Sequence, residues 1–180
     1  MPRVAGAPRL ANARIRAAIP WAGGVVAVSG YEWFLVLHVL AAVVWAGGSF
    51  LLVVLGLIGL RARDTGRVLT VLRLSEPVEG PVFGAAALVL AGFGFALVER
   101  GNWGYDDFFI QYGIVAWAVS AAVDLFYCSR AEKAIEELVE QHGPEAPAVA
   151  ARARQYFLVG TLDALLLLSA VFVMTVKPFL

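Results

Sequence analysis

Residues 31–58 read YEWFLVLHVLAAVVWAGGSFLLVVLGLI. Between Glu32 and Arg61 the only ionisable side chain is the imidazole of His38. The ~30 Å hydrocarbon core of a bilayer is crossed by roughly 20 apolar helical residues at ~1.5 Å each. This run is long enough to cross, with length left over for tilt. An ionisable group inside such a span is costly, faces protein rather than lipid, and is a functional candidate.

The rest of the chain has the same character. Of 180 residues, 61% are hydrophobic and 16% charged, against roughly 25% charged in soluble domains, so a water-facing surface is under-supplied. Mean hydropathy is +0.78. Fourteen basic residues balance fourteen acidic ones, which gives nucleic-acid binding no electrostatic support. Cys128 is the only cysteine, so neither an intrachain disulfide nor a cysteine-built zinc site can form.

Working outward from 31–58, further apolar spans fall near 81–98, 108–128 and 156–176. Transmembrane strands would alternate polar and apolar residues, and these Ala- and Leu-rich runs do not. Pro81 suits the first turn of the second helix. Asp106 and Asp107 suit capping of the third. Aromatics gather at the expected interfaces: Tyr31 and Trp33; Trp103, Tyr105, Phe108 and Phe109; Tyr156 and Phe157.

Between the spans, 59–79 and 129–155 each carry four basic residues, and 99–107 carries one, Arg100. The positive-inside rule places the two basic loops in the cytoplasm. Val68, Leu69, Val71 and Leu72 suggest a short interfacial helix in the first. The stretch Ala131 to Gln141 reads as an amphipathic surface helix or as the third helix running on, ended by Gly143 and Pro144. Residues 1–30 form an N-terminal extension with three readings: a weak signal peptide, a disordered or interfacial leader, or an over-extended start with the chain proper beginning near Val28. The last is preferred, because Pro20 and paired glycines break the apolar stretch.

Few polar residues lie inside the spans. His38 sits about seven residues into the first, on a stripe with Phe34, Ala42, Trp45 and Ser49. Its bland reading is a neutral histidine hydrogen-bonded across the bundle. Gln111 is the polar neighbour expected at its depth. Asp124 and Asp163 belong to the opposite half, roughly 10 Å away along the bilayer normal, so a His38–Asp163 ion pair is disfavoured. Arg73, Arg130 and Arg152 are their expected partners, and a proton-accepting carboxylate is the sharper reading. Small residues four apart (Gly80 and Gly84, Ala87 and Ala91, Gly92 and Ala96, Gly160 and Ala164) predict close helix contacts. No nucleotide loop or serine nucleophile elbow is present.

The string Leu37-His38-Val39-Leu40-Ala41-Ala42-Val43-Val44-Trp45-Ala46-Gly47-Gly48 resembles the first helix of a bacterial family of predicted four-helix integral membrane proteins of unknown function. It is more distantly similar to copper-resistance protein D-like and HemJ-like membrane proteins. The layout from 31 to 178 agrees, and 1–30 fall outside it. Resemblance to the HemJ-like group implies a haem-ligand role for His38 alone. No basic residue inside a later span offers a second ligand.

These readings converge on an all-α, polytopic four-helix transmembrane bundle with short interfacial helices in its cytoplasmic loops. It would lie in a plasma or bacterial inner membrane, not itself be an enzyme, and have no molecular function assigned by its residues. One alternative is a haem-binding or redox protein using His38. Another is a small proton-coupled transporter using Asp124 or Asp163. No catalytic or metal site is read from the residues, and haem enters only through the resemblance. The lipid bilayer is the expected partner, and the small-residue faces leave a second copy or another membrane protein open.

Overall fold

The computed structural model describes residues 29–177. Of the N-terminal extension, Ser29 and Gly30 alone fall within them. Four long helices dominate: α1 Gly30–Arg61, α2 Thr65–Arg100, α3 Phe108–His142 and α4 Pro147–Val176. All are long and apolar enough to cross a membrane. Short turns join them, so successive helices run in opposite directions and form an all-α bundle.

Local chemistry sets the helix ends. The Ser29 hydroxyl accepts the Glu32 N–H at 3.2 Å, and the Glu32 carboxylate accepts the Ser29 N–H at 2.7 Å. This reciprocal box satisfies donors left free at the start of α1. Arg63 closes α1 in the left-handed region, at φ 54°. Asp64 then caps α2 through the Arg67 N–H at 3.0 Å. The Arg67–Asp64 ion pair at 2.8 Å is exposed and contributes little.

The two basic segments between the expected spans are mostly helix, and that helix is continuous with the spans. The segment near Val68 is helical, but it is continuous with the second span. Pro81 therefore lies inside α2, as does Pro77, rather than at a helix start. A proline lacks the N–H that the α-helical ladder uses, and its ring crowds the carbonyl four residues back. A wider π-helical turn at Glu79–Phe83 accommodates the disruption. Likewise α3 runs on past residue 128 to His142, one of the two forms weighed for that stretch. Gly143, at φ 80° and ψ 160°, ends it in a conformation suited to glycine. Helix α4 begins at Pro147, well before 156, with proline where its missing N–H costs nothing. Asp107 precedes α3 as expected, yet its carboxylate accepts the Gly104 N–H at 2.9 Å and caps the turn, not the helix.

Helix α1 packs along α2, and its second half also meets α4, which packs along α3. The core near the α1–α2 and α3–α4 turns gathers Val68, Ile135, Val149 and Phe157. A second core forms around Trp45, Phe83 and Leu167. The outward surface is strongly apolar: Leu88, Leu125, Val43 and Phe172 are each more than 60% exposed. Contiguous apolar surface of this kind needs a non-aqueous neighbour.

The close-contact glycines are not those expected. A Cβ on Gly80, Gly84 or Gly92 would meet open space. Gly48 faces the Phe83 ring, Gly56 the Phe157 ring and Gly59 the Val68 side chain, each too closely for a Cβ. Spacing by four does not say which face of a helix meets a neighbour. Gly160, with Val53 3.2 Å from its Cβ position, is the expected glycine that does make a close contact.

Candidate functional site

Three π-helical turns stand beside one another: Val43–Gly47 in α1, Glu79–Phe83 in α2 and Val123–Cys128 in α3. Such turns cost regular hydrogen bonding and recur at functional sites. These turns place Trp45, Glu79, Phe83, Asp124 and Cys128 around one region of the bundle. A cavity of about 40 Å³ lies there, lined by Ser49, Ser75, Glu79, Asp124, Tyr156 and Asp163 together with apolar side chains. At ~10–15 Å³ per water, it has room for roughly three. No Lys, Arg or His lines it among the described residues.

Asp163, on α4, is 92% buried by its 8% exposure. One carboxylate oxygen, Oδ2, accepts the hydroxyl of fully buried Ser120 at 2.7 Å. The other, Oδ1, is buried with no hydrogen-bond partner among the described residues. Asp124 lines the same cavity but is far more exposed, so the cavity reaches the bundle surface on that side. Its Oδ2 accepts the indole N–H of Trp45 at 3.4 Å, a long bond. Trp45 is 1% exposed, which accounts for a tryptophan placed mid-span away from the interfacial belts.

At the end of the cavity nearer the α3–α4 turn, Tyr156 joins two more carboxylates. Its hydroxyl donates to Glu132 Oε1 at 2.8 Å and lies 3.4 Å from Glu79 Oε1. The ring is 7% exposed and packs edge-on against Phe157.

The structure thus brings Trp45, Ser49, Asp124 and Asp163 together, and leaves His38 and Gln111 outside. His38 Nδ1 lies 2.8 Å from the Leu90 carbonyl across the α1–α2 interface, and the ring rests against Gly94. Gln111 is exposed on α3, which at this level packs along α4 rather than α1. The arginines expected beside the aspartates also lie elsewhere. Arg73 is exposed, Arg130 donates to the Phe126 carbonyl at 2.8 Å, and Arg152 donates to Gln155 at 2.7 Å. Their long side chains keep the guanidinium at the surface, where its solvation costs least.

Sequence reasoning missed Glu79, Ser120, Glu132 and Tyr156. In the sequence Glu79 falls in a connecting segment, Glu132 on a helical stretch at the surface, and Tyr156 among the interfacial aromatics. The usable signal is Pro77 and Pro81, since a proline inside a helical run disrupts the turn before it and Glu79 lies between the two. No protein-family model, curated protein or solved structure matches this chain.

Proposed function

We propose that this chain is a non-enzymatic, multi-pass protein of a plasma or inner membrane that binds and releases protons at the Asp163–Asp124 cavity. The observation that carries the reading is the unpartnered Oδ1 of Asp163, buried beside a second carboxylate with no cation among the described lining residues. Two carboxylates sharing a poorly solvated site repel one another when both are charged, so one proton is retained. The cavity's size favours protons over an organic substrate, since it has room for only a few waters.

Proteoliposomes loaded with a pH-sensitive dye test this reading. A potassium diffusion potential, negative inside, should drive acidification through the wild-type protein. Asp163→Asn keeps the side chain's size and an acceptor for Ser120, and should reduce the flux at least tenfold. Equal flux in the two proteins would defeat the proposal.

The orientation proposed puts residues 59–79 and 129–155 in the cytoplasm, on the strength of their basic residues. Arg67 and Glu140 are exposed near these turns, and Asn102 is exposed on the 99–107 turn. In a Cys128→Ser background, a membrane-impermeant thiol reagent added outside intact cells should label Asn102→Cys only. Labelling of Arg67→Cys or Glu140→Cys would reverse the orientation.

A second reading, His38 as a haem ligand, is supported by one feature. A carbonyl on Nδ1 fixes that nitrogen as the donor and leaves Nε2 as the basic nitrogen, as in many metal-binding histidines. His142, the other histidine, lies at the end of α3 and gives no second ligand at this level. A Soret band in the purified protein, lost in His38→Gln, would favour this reading. Its absence after haem supplementation would remove it.

A further inference from the structure

The proton-binding reading leaves open how a proton passes between bulk water and the cavity, whose opening beside Asp124 lies on an apolar surface with Leu125 and Phe126 exposed. Resting on that reading, we infer that the Tyr156 hydroxyl is the link, passing protons between Glu132 at the rim and Glu79 in the cavity wall.

Three observations support this. The hydroxyl touches both carboxyl groups, at 2.8 Å from Glu132 and 3.4 Å from Glu79, and the two acids also interact directly, so Tyr156→Phe separates passage through the hydroxyl from passage between the acids. Glu132 is absent from the cavity lining, whereas Tyr156 and Glu79 both belong to it, so the three residues run from outside the cavity to inside. Glu132 also lies on the amphipathic end of α3, among Arg130, Lys133, Glu136 and Glu137, where bulk water is within reach.

The transfer needs no charged tyrosine. When Glu132 carries a proton, its O–H donates to the phenol oxygen. The phenol gives its own proton to Glu79, and the Glu132 O–H bond breaks as the new phenol O–H bond forms. Glu132 is left as carboxylate, Glu79 becomes a carboxylic acid, and Tyr156 ends neutral. One proton has moved and no electron has been transferred. A cavity water then accepts the Glu79 proton while giving one to Asp124 or Asp163. The groups facing this path are acidic or neutral: Glu76 and Glu79 on α2, Asp124, Cys128 and Glu132 on α3, Tyr156 and Asp163 on α4, and Ser49 on α1. A chain of acids without a cation passes a proton on, where an intervening arginine would hold the carboxylates deprotonated.

Tyr156→Phe is the informative substitution, because it removes the oxygen and keeps the ring that packs on Phe157. Proton flux into proteoliposomes should fall at least tenfold, and the carboxylic-acid infrared band that Asp163→Asn abolishes should remain. In heavy water that band should shift to its deuterated position at least tenfold more slowly in Tyr156→Phe than in wild type. Glu132→Gln should give the same slowing with the ring untouched. A wild-type exchange rate in Tyr156→Phe, whatever Glu132→Gln does, would overturn the role of Tyr156 while leaving Asp163 as the proton site. If wild type shows no band that Asp163→Asn removes, the proton-binding reading itself fails, and this inference with it.

Discussion

Leucine at Gly56 should prevent the bundle from forming. A Cβ built there overlaps the Cε1, Cζ and Cδ1 atoms of Phe157. The ring has no ready escape, being 2% exposed and packed edge-on against Tyr156, which in turn is held by Glu132. Overpacking by a methyl or methylene group costs about 1–3 kcal/mol, and occasionally more. Gly56→Ala should therefore destabilise by that amount, and Gly56→Leu by well over 3 kcal/mol. Gly92→Ala is the matched control, since its Cβ meets open space and alanine favours a helix by about 0.5–1 kcal/mol. Thermal unfolding in detergent checks the pair. Trimming the ring in Gly56→Ala/Phe157→Leu should recover part of the loss, because contacting residues couple. Equal melting temperatures for Gly56→Ala and Gly92→Ala would show that α1 and α4 do not pack as described.

The second large effect separates the two aspartates. Asp163→Ala should cost about 1–3 kcal/mol, because it strands the Ser120 hydroxyl in a fully buried position and enlarges the cavity. Asp124→Ala should cost under about 1 kcal/mol. It gives up one long bond from Trp45 at a site that opens to the surface, and it relieves repulsion between the acids. Had either carboxylate been paired with a buried arginine, its loss would cost about 3–5 kcal/mol, so the magnitude also tests the absence of a cation. Asp163→Asn should stay within about 1 kcal/mol of wild type, which makes it the variant for functional work. If Asp124→Ala destabilises as much as Asp163→Ala, the difference in burial does not govern their energetics.

Much of this architecture is legible in the residues. Apolar runs of sufficient length mark four spans, and Gly143 marks a helix end. The separation of His38 from the two aspartates along the bundle follows from helical rise alone. The continuity of the helices is harder to read. A hydropathy pattern ends the spans at Glu76, Glu79, Glu132 and the nearby arginines, because polar residues look the same in a loop and on a helical extension beyond the apolar run. The π-helical turns are hidden for a related reason: they change register without changing composition. That register places Glu79 and Asp124 at the cavity. The arginine partners failed because proximity in depth says nothing about azimuth, and exposed guanidinium groups satisfied themselves on their own helices. His38 attracted notice for its rarity, yet its Nδ1 is satisfied by a backbone carbonyl, while tyrosine and serine hydroxyls make closer contacts with the acids.

The proposed function requires Asp163 to hold a proton inside the bundle. Infrared spectroscopy of the purified protein in lipid at neutral pH measures this most directly. A carboxylic-acid C=O band should be present, shift when aspartate carries a heavy carbonyl carbon, and vanish in Asp163→Asn while the helical amide bands stay unchanged. A spectrum without an aspartic-acid band at neutral pH, or one unaltered in Asp163→Asn, would contradict it.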